Sequence, residues 1–151
     1  EPKFPTPNVK ARFAVLAVPP PPRPNELRLM TVRSEGQFNT VVYEETDIYR
    51  GQERRDVILL NRRDIARMGL RIDQRVIVRS DAGVMTGIRV REFDIREGNA
   101  LMYFPEANVL VPRPTDPLSK TPAFKHVPIQ IETAEPKQFE SSARKPLTVV
   151  A

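Results

Sequence analysis

Proline is distributed so unevenly along this chain that it divides the chain into a body and two arms. The 16 prolines crowd residues 2–24, are absent from residues 25–104, and return between residues 105 and 146. Because proline lacks a backbone N–H donor and is poorly tolerated inside a sheet, we expect regular structure in the proline-free body. The consecutive prolines at 19–22 predict a stiff polyproline II linker, with a recognition motif for proline-binding domains as the less common alternative.

Composition excludes several kinds of functional site. The 151 residues are enough for one domain with a core, and the absence of cysteine excludes disulfides, thiolate metal sites and a cysteine nucleophile. His126 is the single histidine, and the sequence contains neither metal-ligand spacing nor a glycine fingerprint for nucleotides. A Ser/His/Asp triad is formally possible, but no G-x-S-x-G motif places a serine for it, so we predict no catalytic residue and no metal ligand in these residues.

Net charge by itself predicts little about a partner. The formal charge of +5 would favour anions, but Lys and Arg are spread along the chain, so it indicates only a basic surface. No apolar run approaches the length that spans a membrane. The chain begins with Glu1 and not with Met, which indicates a processed product or a piece of a longer protein.

Short apolar runs predict that the body is mainly β. Strands are expected at residues 27–32, 56–60, 75–79, 84–91 and 100–104, with a further one at residues 8–18 in the first arm. The run at 56–60 is apolar enough for a fully buried strand, and in the run at 84–91 the even-numbered residues should share one face. This pattern is typical of compact Greek-key or psi-type barrels.

One short helix is expected after the buried strand. Asn61 is a good N-cap, and Asp64 stands three residues later in an acidic variant of the capping box. The helix should end at about Met68, with Gly69 in a left-handed conformation beyond it.

The segment at residues 33–40 is richer in hydrogen-bonding groups than a plain turn requires. It lies between the strand at 27–32 and an apolar run at 41–43, and it offers a guanidinium, two amides, a hydroxyl and the backbone around a glycine: Arg33, Gln37, Asn39, Thr40 and Gly36. These groups suit a pyrophosphate or the edge of a heterocycle. The alternative, which composition alone favours, is a turn whose side chains satisfy its own backbone.

A second segment, residues 104–125, is long, rich in proline and without evident secondary structure. Long loops of this kind in compact domains are usually functional or disordered. Polar residues at 108, 116, 119 and 125 alternate with four expected apolar anchors, Val109, Leu110, Leu118 and Phe124. This arrangement indicates a clamp more than a loose linker.

Three separated motifs carry a resemblance to a known family. In chain order they read LRLMTVRSEGQFNT, RRDVILLNRRDIARMGLRIDQRVIVRSDAGVMTGIRV and NALMYFPEANVLVPRPTDPLSKTPAFKHVPIQI. Together they resemble the C-terminal molybdopterin dinucleotide-binding domain of molybdenum or tungsten oxidoreductases such as formate dehydrogenase, nitrate reductase and dimethyl sulfoxide reductase. The resemblance spans about residues 6–131 and is greatest to formate-dehydrogenase-like proteins of the YdeP type.

The resemblance implies a fold and a domain plan. The expected fold is mainly β, a six-stranded double-psi β-barrel of the aspartate decarboxylase-like type with short peripheral helices. Residues 1–24 would form a lead-in strand and proline-rich linker, residues 25–132 the cofactor-binding barrel, and residues 133–151 a weakly ordered tail.

The resemblance also implies which residues bind the cofactor. The family pattern T-x-R…Q-x-x-T is matched after the first strand, with Asn39 where many members have a histidine, and the later A-N-x-L and S-x-x-P-x-[FY]-K patterns are matched near residues 108 and 119–125. In the family these segments wrap the pterin and guanosine ends of the cofactor. The implied cofactor-binding residues are Thr31, Arg33, Gln37, Asn39, Thr40, Asn108, Ser119, Phe124 and Lys125.

By the same resemblance, the chain is a non-catalytic part of an oxidoreductase. It would bind molybdopterin guanine dinucleotide in the bis form, with Mo or W held by other domains, and would be inactive alone. Its partners would be the preceding catalytic domains of the same enzyme, in the cytoplasm, with neither nucleic acid nor membrane. The alternative is a non-catalytic double-psi barrel adaptor or polyanion-binding module. A self-processing decarboxylase on this barrel would need a Gly-Ser dipeptide, which the sequence lacks.

Overall fold

The computed structural model describes residues 3–13, 15, 17, 20, 23–34, 36, 37 and 44–133. Its strands are β1 Leu27–Val32, β2 Val57–Leu60, β3 Arg75–Arg79, β4 Val84–Glu92, β5 Asn99–Tyr103 and β6 Val127–Thr133. The α-helix α1 spans Arg62–Arg67, and two 3-10 turns span Ile48–Arg50 and Glu106–Leu110. Among the described residues, no helix has the length and apolar content that crossing a bilayer requires.

The six strands close into a barrel in the order β1-β5-β2-β4-β3-β6. Two of the neighbouring pairs are parallel, β1 with β5 and β2 with β4, and the others are antiparallel. The strand prediction for the body and the mainly β, six-stranded double-psi fold are therefore confirmed. Because β1 and β5 run in the same direction, with Val32 opposite Tyr103, the segments that follow them leave the barrel side by side.

Strand β2 is buried on both faces, as its apolar run predicted. Ile58 and Leu60 belong to the main core inside the barrel, whereas Val57 and Leu59 belong to a second cluster on the outer side. The second cluster also contains Tyr103 of β5. A strand that is buried on both faces requires apolar side chains at every position, which explains why the sequence of β2 is a continuous apolar run.

Helix α1 begins and ends as predicted, but one of its side chains has a different role. The Asn61 side chain accepts a 2.8 Å hydrogen bond from the Arg63 N–H, and Gly69 has a φ of 64°. The Asp64 carboxylate, which we expected in a capping box, accepts 2.7 Å hydrogen bonds from the Gly98 N–H and from Arg67. Asp64 therefore ties the helix to the turn before β5.

The inward face of β4 changes at a β-bulge. The sequence predicted that the even-numbered residues share one face, but only Ile88 and Val90 do so, since Thr86 is exposed and Met85 packs inward. The register against β3 shifts at this point, and Gly87 has a φ of 75°. A bulge adds one residue to a strand and so reverses the alternation, which makes this part of the prediction wrong.

Three elements were not predicted from the residues, namely β6 and the two 3-10 turns. Strand β6 carries buried Val127 and Ile129, a period-two pattern that Pro128 between them obscured. The 3-10 turn Glu106–Leu110 buries Ala107 and Leu110, while Val109 is half exposed because it lies on the other face. Val109 is therefore not the apolar anchor that we expected.

The predicted strand in the first arm is not found where the structure describes it. Residues 8–13, 15 and 17 lie in no strand, and Phe13 and Val15 are 90% and 98% exposed. The rest of that prediction lies outside the described residues, as do the apolar run at 41–43 and the tail after residue 133.

Candidate functional site

A cleft of about 460 Å³ opens beside the ends of β1 and β5. Three segments form it, namely the end of β1, the segment that follows β5 and the segment that precedes β6. The lining residues are Thr31, Arg33, Phe104, Asn108, Val111, Pro112, Arg113, Pro122, Phe124 and Lys125. The parallel pairing of β1 with β5 brings the first two segments together, because both strands end at the same edge of the barrel.

The end of β1 holds the segment before β6 in place. The backbone N–H of Thr31 donates a 3.0 Å hydrogen bond to the carbonyl of Phe124, and the Thr31 hydroxyl donates to the same oxygen at 3.2 Å. In return, the Lys125 ammonium group donates to the Thr31 carbonyl. Thr31 thus fixes where Lys125 enters the cleft.

Positive charge is concentrated in the cleft. Arg33 lies over the Phe104 ring at 5.4 Å, Lys125 lies 5.6 Å from the centroid of the Phe124 ring, and Arg113 adds a third cation. Lys125 is exposed as a whole residue, but its ammonium group is partly buried, which lowers its pKa. The positive charges of Arg33 and Arg50 lower that pKa further. An anion bound here would relieve that repulsion.

The rest of the lining is apolar and aromatic. Phe104, Val111 and Phe124, with the prolines at 112 and 122, surround the cations, and Asn108 contributes one amide. Apolar walls with a few convergent polar groups are typical of ligand sites, and aromatic rings provide surfaces for a flat heterocycle. The donor set therefore fits an extended anion that also carries a heterocycle.

Of the nine residues implied by the resemblance, the structure brings five into this cleft: Thr31, Arg33, Asn108, Phe124 and Lys125. Asn39 and Thr40 lie outside the described residues.

Gln37 and Ser119 are described but do not line the cleft. The buried Gln37 amide donates a 3.1 Å hydrogen bond to the Phe104 carbonyl and accepts one of 3.3 Å from the Ser34 N–H, so in this structure it orders the loop. The Ser119 N–H donates a 2.6 Å hydrogen bond to Asp116 in an exposed turn. A direct cofactor contact of Gln37 or Ser119 stays a prediction.

The expected anchor Leu118 belongs to the same exposed turn. Its side chain is 93% exposed, so it anchors nothing within the described chain. The Asp116 carboxylate accepts from the N–H groups of residues 118 and 119, which closes the turn and points Leu118 outward. Hydrogen bonds of this local turn, and not an apolar contact, hold this part of the segment.

Sequence reasoning missed half of the cleft and one buried arginine next to it. Phe104, Val111, Pro112 and Arg113 line the cleft without having been singled out, and Pro122 was matched to a family pattern without being named as a binding residue. Arg55 is buried and donates to the Glu106 carboxylate at 2.7 Å and to the Phe104 carbonyl at 2.6 Å. The proline-rich composition of residues 105–122 was a signal for the missed cleft residues. Arg55 gave no such signal, because it stands in a charged run that resembles a solvated surface.

Comparisons of sequence and of structure both match this barrel to known proteins. The sequence profile described as "Molydopterin dinucleotide binding domain" matches residues 27–128. A solved structure of acetylene hydratase from Pelobacter acetylenicus is similar with a TM-score of 0.54 and 14% sequence identity, covering 72% of this chain and 18% of that one. At that identity, the structural likeness concerns the fold alone.

Curated relatives are much longer than this chain. An uncharacterized oxidoreductase of Mycobacterium bovis is 37% identical over 144 residues, covering 86% of this chain and 18% of the relative. Protein YdeP of Escherichia coli is 28% identical over 145 residues, covering 87% of this chain and 19% of the relative. The chain thus spans about a fifth of the length of these relatives. Because the family profile matches most of the barrel, the chain belongs to the molydopterin dinucleotide binding domain family.

Proposed function

We propose that this domain binds molybdopterin guanine dinucleotide in the cleft, as the C-terminal domain of a formate-dehydrogenase-like oxidoreductase. The observation that carries the proposal is that Arg33 and Lys125, from opposite ends of the domain, line one cleft together with two phenylalanine rings. A dinucleotide of this kind is a long anion with a central pyrophosphate and two heterocycles. It therefore needs cations, hydrogen-bonding edges and aromatic surfaces along one groove.

Each group has a definite part in the proposal. Arg33 presents a planar fork of donors that suits two phosphate oxygens, whereas Lys125 supplies a compact charge. Asn108 presents a donor and an acceptor to the edge of a heterocycle. Phe104 and Phe124 cover the flat faces and keep water from the charged groups. When bound, the cofactor with its Mo or W supplies the redox chemistry of the whole enzyme.

The domain by itself binds and orients and does not turn over a substrate. The chain's relatives include oxidoreductases about five times its length, which supports the proposal that catalytic domains of the same protein hold the metal end of the cofactor. The bis form of the cofactor, the formate-dehydrogenase-like class and the cytoplasmic location belong to this proposal. A rigid barrel that holds the donors in place before binding lowers the entropy cost of ordering them.

A binding experiment on this chain tests the site. We expect guanosine diphosphate and inorganic pyrophosphate to shift the NMR signals of residues in the cleft, and Arg33→Ala to weaken both ligands by about tenfold, a loss of about 1.4 kcal/mol. The matched control is Arg79→Ala, an exposed arginine that pairs with Glu132 on β6. Equal weakening by both substitutions, or no shifts in the cleft, would contradict the proposed site.

A second experiment tests the function in the whole enzyme. Lys125→Ala and Arg33→Ala in the full-length protein should lower its molybdenum or tungsten content and the guanosine monophosphate released on acid treatment. Unchanged cofactor content in both variants would refute the assignment of these residues. Salt-sensitive binding of nucleic acid, with no pterin in the whole protein, would favour the polyanion-binding alternative.

A further inference from the structure

Arg55 is buried to a degree that is unusual for an arginine outside a binding site. Its side chain is 3% exposed, and it lies just before β2 at the end of the barrel. A buried ion pair recovers its desolvation cost only with good geometry, and apolar residues of similar volume are often as stable. Arg55 is absent from the cleft lining, so its burial calls for another explanation.

The guanidinium of Arg55 connects the two chain segments that form adjacent walls of the cleft. On one side its Nη1 donates a 2.8 Å hydrogen bond to the hydroxyl of Ser34, which follows Arg33 directly. On the other side its Nε and Nη2 donate to the Glu106 carboxylate at 2.7 Å and 3.1 Å, and Nη2 also donates to the Phe104 carbonyl at 2.6 Å.

The Arg55 guanidinium also packs on an aromatic ring, which limits its movement. The guanidinium carbon lies 4.8 Å from the centroid of the buried Tyr103 ring. With Gln37 donating to the same Phe104 carbonyl at 3.1 Å, two side chains converge on one backbone oxygen. Because the Phe104 ring lies under Arg33 in the cleft, the position of that carbonyl decides where ring and guanidinium meet.

We propose that Arg55 is a positioning residue of the cleft: it touches no ligand, but it sets the distance between the Arg33 wall and the Phe104–Asn108 wall. This inference rests on the proposed function, because it concerns the same cleft. Its ligand class is the pyrophosphate-containing nucleotide proposed above. The fork of Arg55 makes this role specific, since a lysine cannot reach Ser34, Glu106 and the Phe104 carbonyl together.

The test compares Arg55→Met, Arg55→Lys and Glu106→Gln with the control Arg54→Met. Arg54 is the adjacent arginine, but it is half exposed and pairs with Asp56 away from the cleft lining. We expect Arg55→Met and Arg55→Lys to weaken guanosine diphosphate binding by about tenfold, Glu106→Gln by less, and Arg54→Met by under about twofold. Thermal unfolding of each variant reports whether it is folded.

A second measurement needs no ligand. In the wild type, nuclear Overhauser contacts between the Arg33 side chain and the Phe104 ring should be observed, and they should weaken in Arg55→Met but not in Arg54→Met. Should Arg55→Met fail to fold, Glu106→Gln replaces it, because that side chain is partly exposed and the substitution keeps the shape of the group.

The outcomes separate the two proposals. A wild type that binds neither guanosine diphosphate nor pyrophosphate contradicts the proposed function, whereas the ring contacts still test Arg55. Folded Arg55 variants with wild-type ring contacts and wild-type affinity overturn the positioning role alone. Loss of the contacts together with weaker binding in the Arg55 variants, and neither in Arg54→Met, supports it.

Discussion

The hydroxyl of Tyr103 donates a 2.8 Å hydrogen bond to the carboxylate of Asp47, and both side chains are buried. Asp47 also accepts from Arg50 at 2.6 Å and caps the turn Ile48–Arg50 by accepting from the Tyr49 N–H. The Arg50 guanidinium in turn donates to the Arg33 carbonyl at 3.1 Å. The end of β5 is thus connected to the backbone of a residue that lines the cleft.

Tyr103→Phe should lower the free energy of unfolding by about 1–3 kcal/mol, because the buried Asp47 carboxylate loses a donor. The pKa of Tyr103 is raised mainly by burial of its hydroxyl and secondly by the hydrogen bond to Asp47. The stability that neutral Tyr103 provides is therefore complete below its unfolded pKa of 10.0 and is lost as pH rises through the higher folded pKa.

Urea unfolding of the wild type and of Tyr103→Phe, at neutral pH and above pH 10.0, checks this prediction. The difference between the two proteins should narrow at the higher pH. Tyr49→Phe is the control, because Tyr49 is 75% exposed and loss of its hydroxyl should change the free energy of unfolding by less than about 0.5 kcal/mol. A constant difference across this range would contradict the role of the Tyr103 hydroxyl.

Anion binding in the cleft should weaken at alkaline pH because Lys125 loses its proton. Partial burial and the neighbouring charges of Arg33 and Arg50 lower the Lys125 pKa below its ordinary 10.5. An anion prefers the protonated form, so affinity for pyrophosphate should fall as pH rises through this lowered pKa. Titration calorimetry at several pH values measures the effect.

Lys125→Arg provides the control for that pH dependence. Arginine stays charged throughout this range, so the variant should lack the alkaline loss of pyrophosphate affinity that the wild type shows, even where its affinity differs from the wild type. Lys125→Gln should bind weakly at every pH. An equally steep profile in Lys125→Arg would assign the titration to another group.

Gly83→Ala should disturb the wall of the cleft that carries Asn108. A Cβ at position 83 would lie 2.4 Å from the Val109 carbonyl oxygen, so the 3-10 turn Glu106–Leu110 would have to move. Overpacking of this kind costs about 1–3 kcal/mol, and pyrophosphate affinity should fall with it.

Gly69→Ala separates loss of stability from loss of the cleft. Gly69 has a φ of 64° with no heavy atom within 4 Å of an added Cβ, so its substitution is strained but meets no neighbour. It should lower stability and leave pyrophosphate affinity unchanged. If both variants lose affinity equally, the contact between Gly83 and Val109 does not matter for binding.

Asp64→Ala should lower the free energy of unfolding by about 1–3 kcal/mol without affecting the cleft. The buried Asp64 carboxylate accepts from the Gly98 N–H, which would lose its partner on the way into β5. Glu97→Ala is the control, since its exposed pair with Arg63 should contribute only about 0–1 kcal/mol. Denaturant unfolding measures both, and equal values would show that burial of Asp64 adds nothing.

Local sequence signals predicted elements whose cause is local. Asn61 caps α1 and Gly69 follows it in a left-handed conformation because both effects depend on a few neighbouring residues. The apolar run of β2 predicted burial on both faces, which the barrel and the second cluster confirm. The motifs that carried the family resemblance also pointed to Arg33 and Lys125, which share the cleft.

Tertiary structure decided the features that depend on distant partners. The bulge at Gly87 depends on how β4 pairs with β3, and within β4 the glycine itself was the signal for it. The Gln37 amide, which the sequence offers as a ligand-binding group, donates to the Phe104 carbonyl in this structure. Arg55 resembles a surface charge in the sequence but is buried against Glu106. The sequence by itself determined five of the six strands, β1 to β5, and which residue types are available. Only closure of the barrel decided which polar groups face the cleft. The physical reason is that their hydrogen-bond partners and neighbours come from segments that are distant in the sequence.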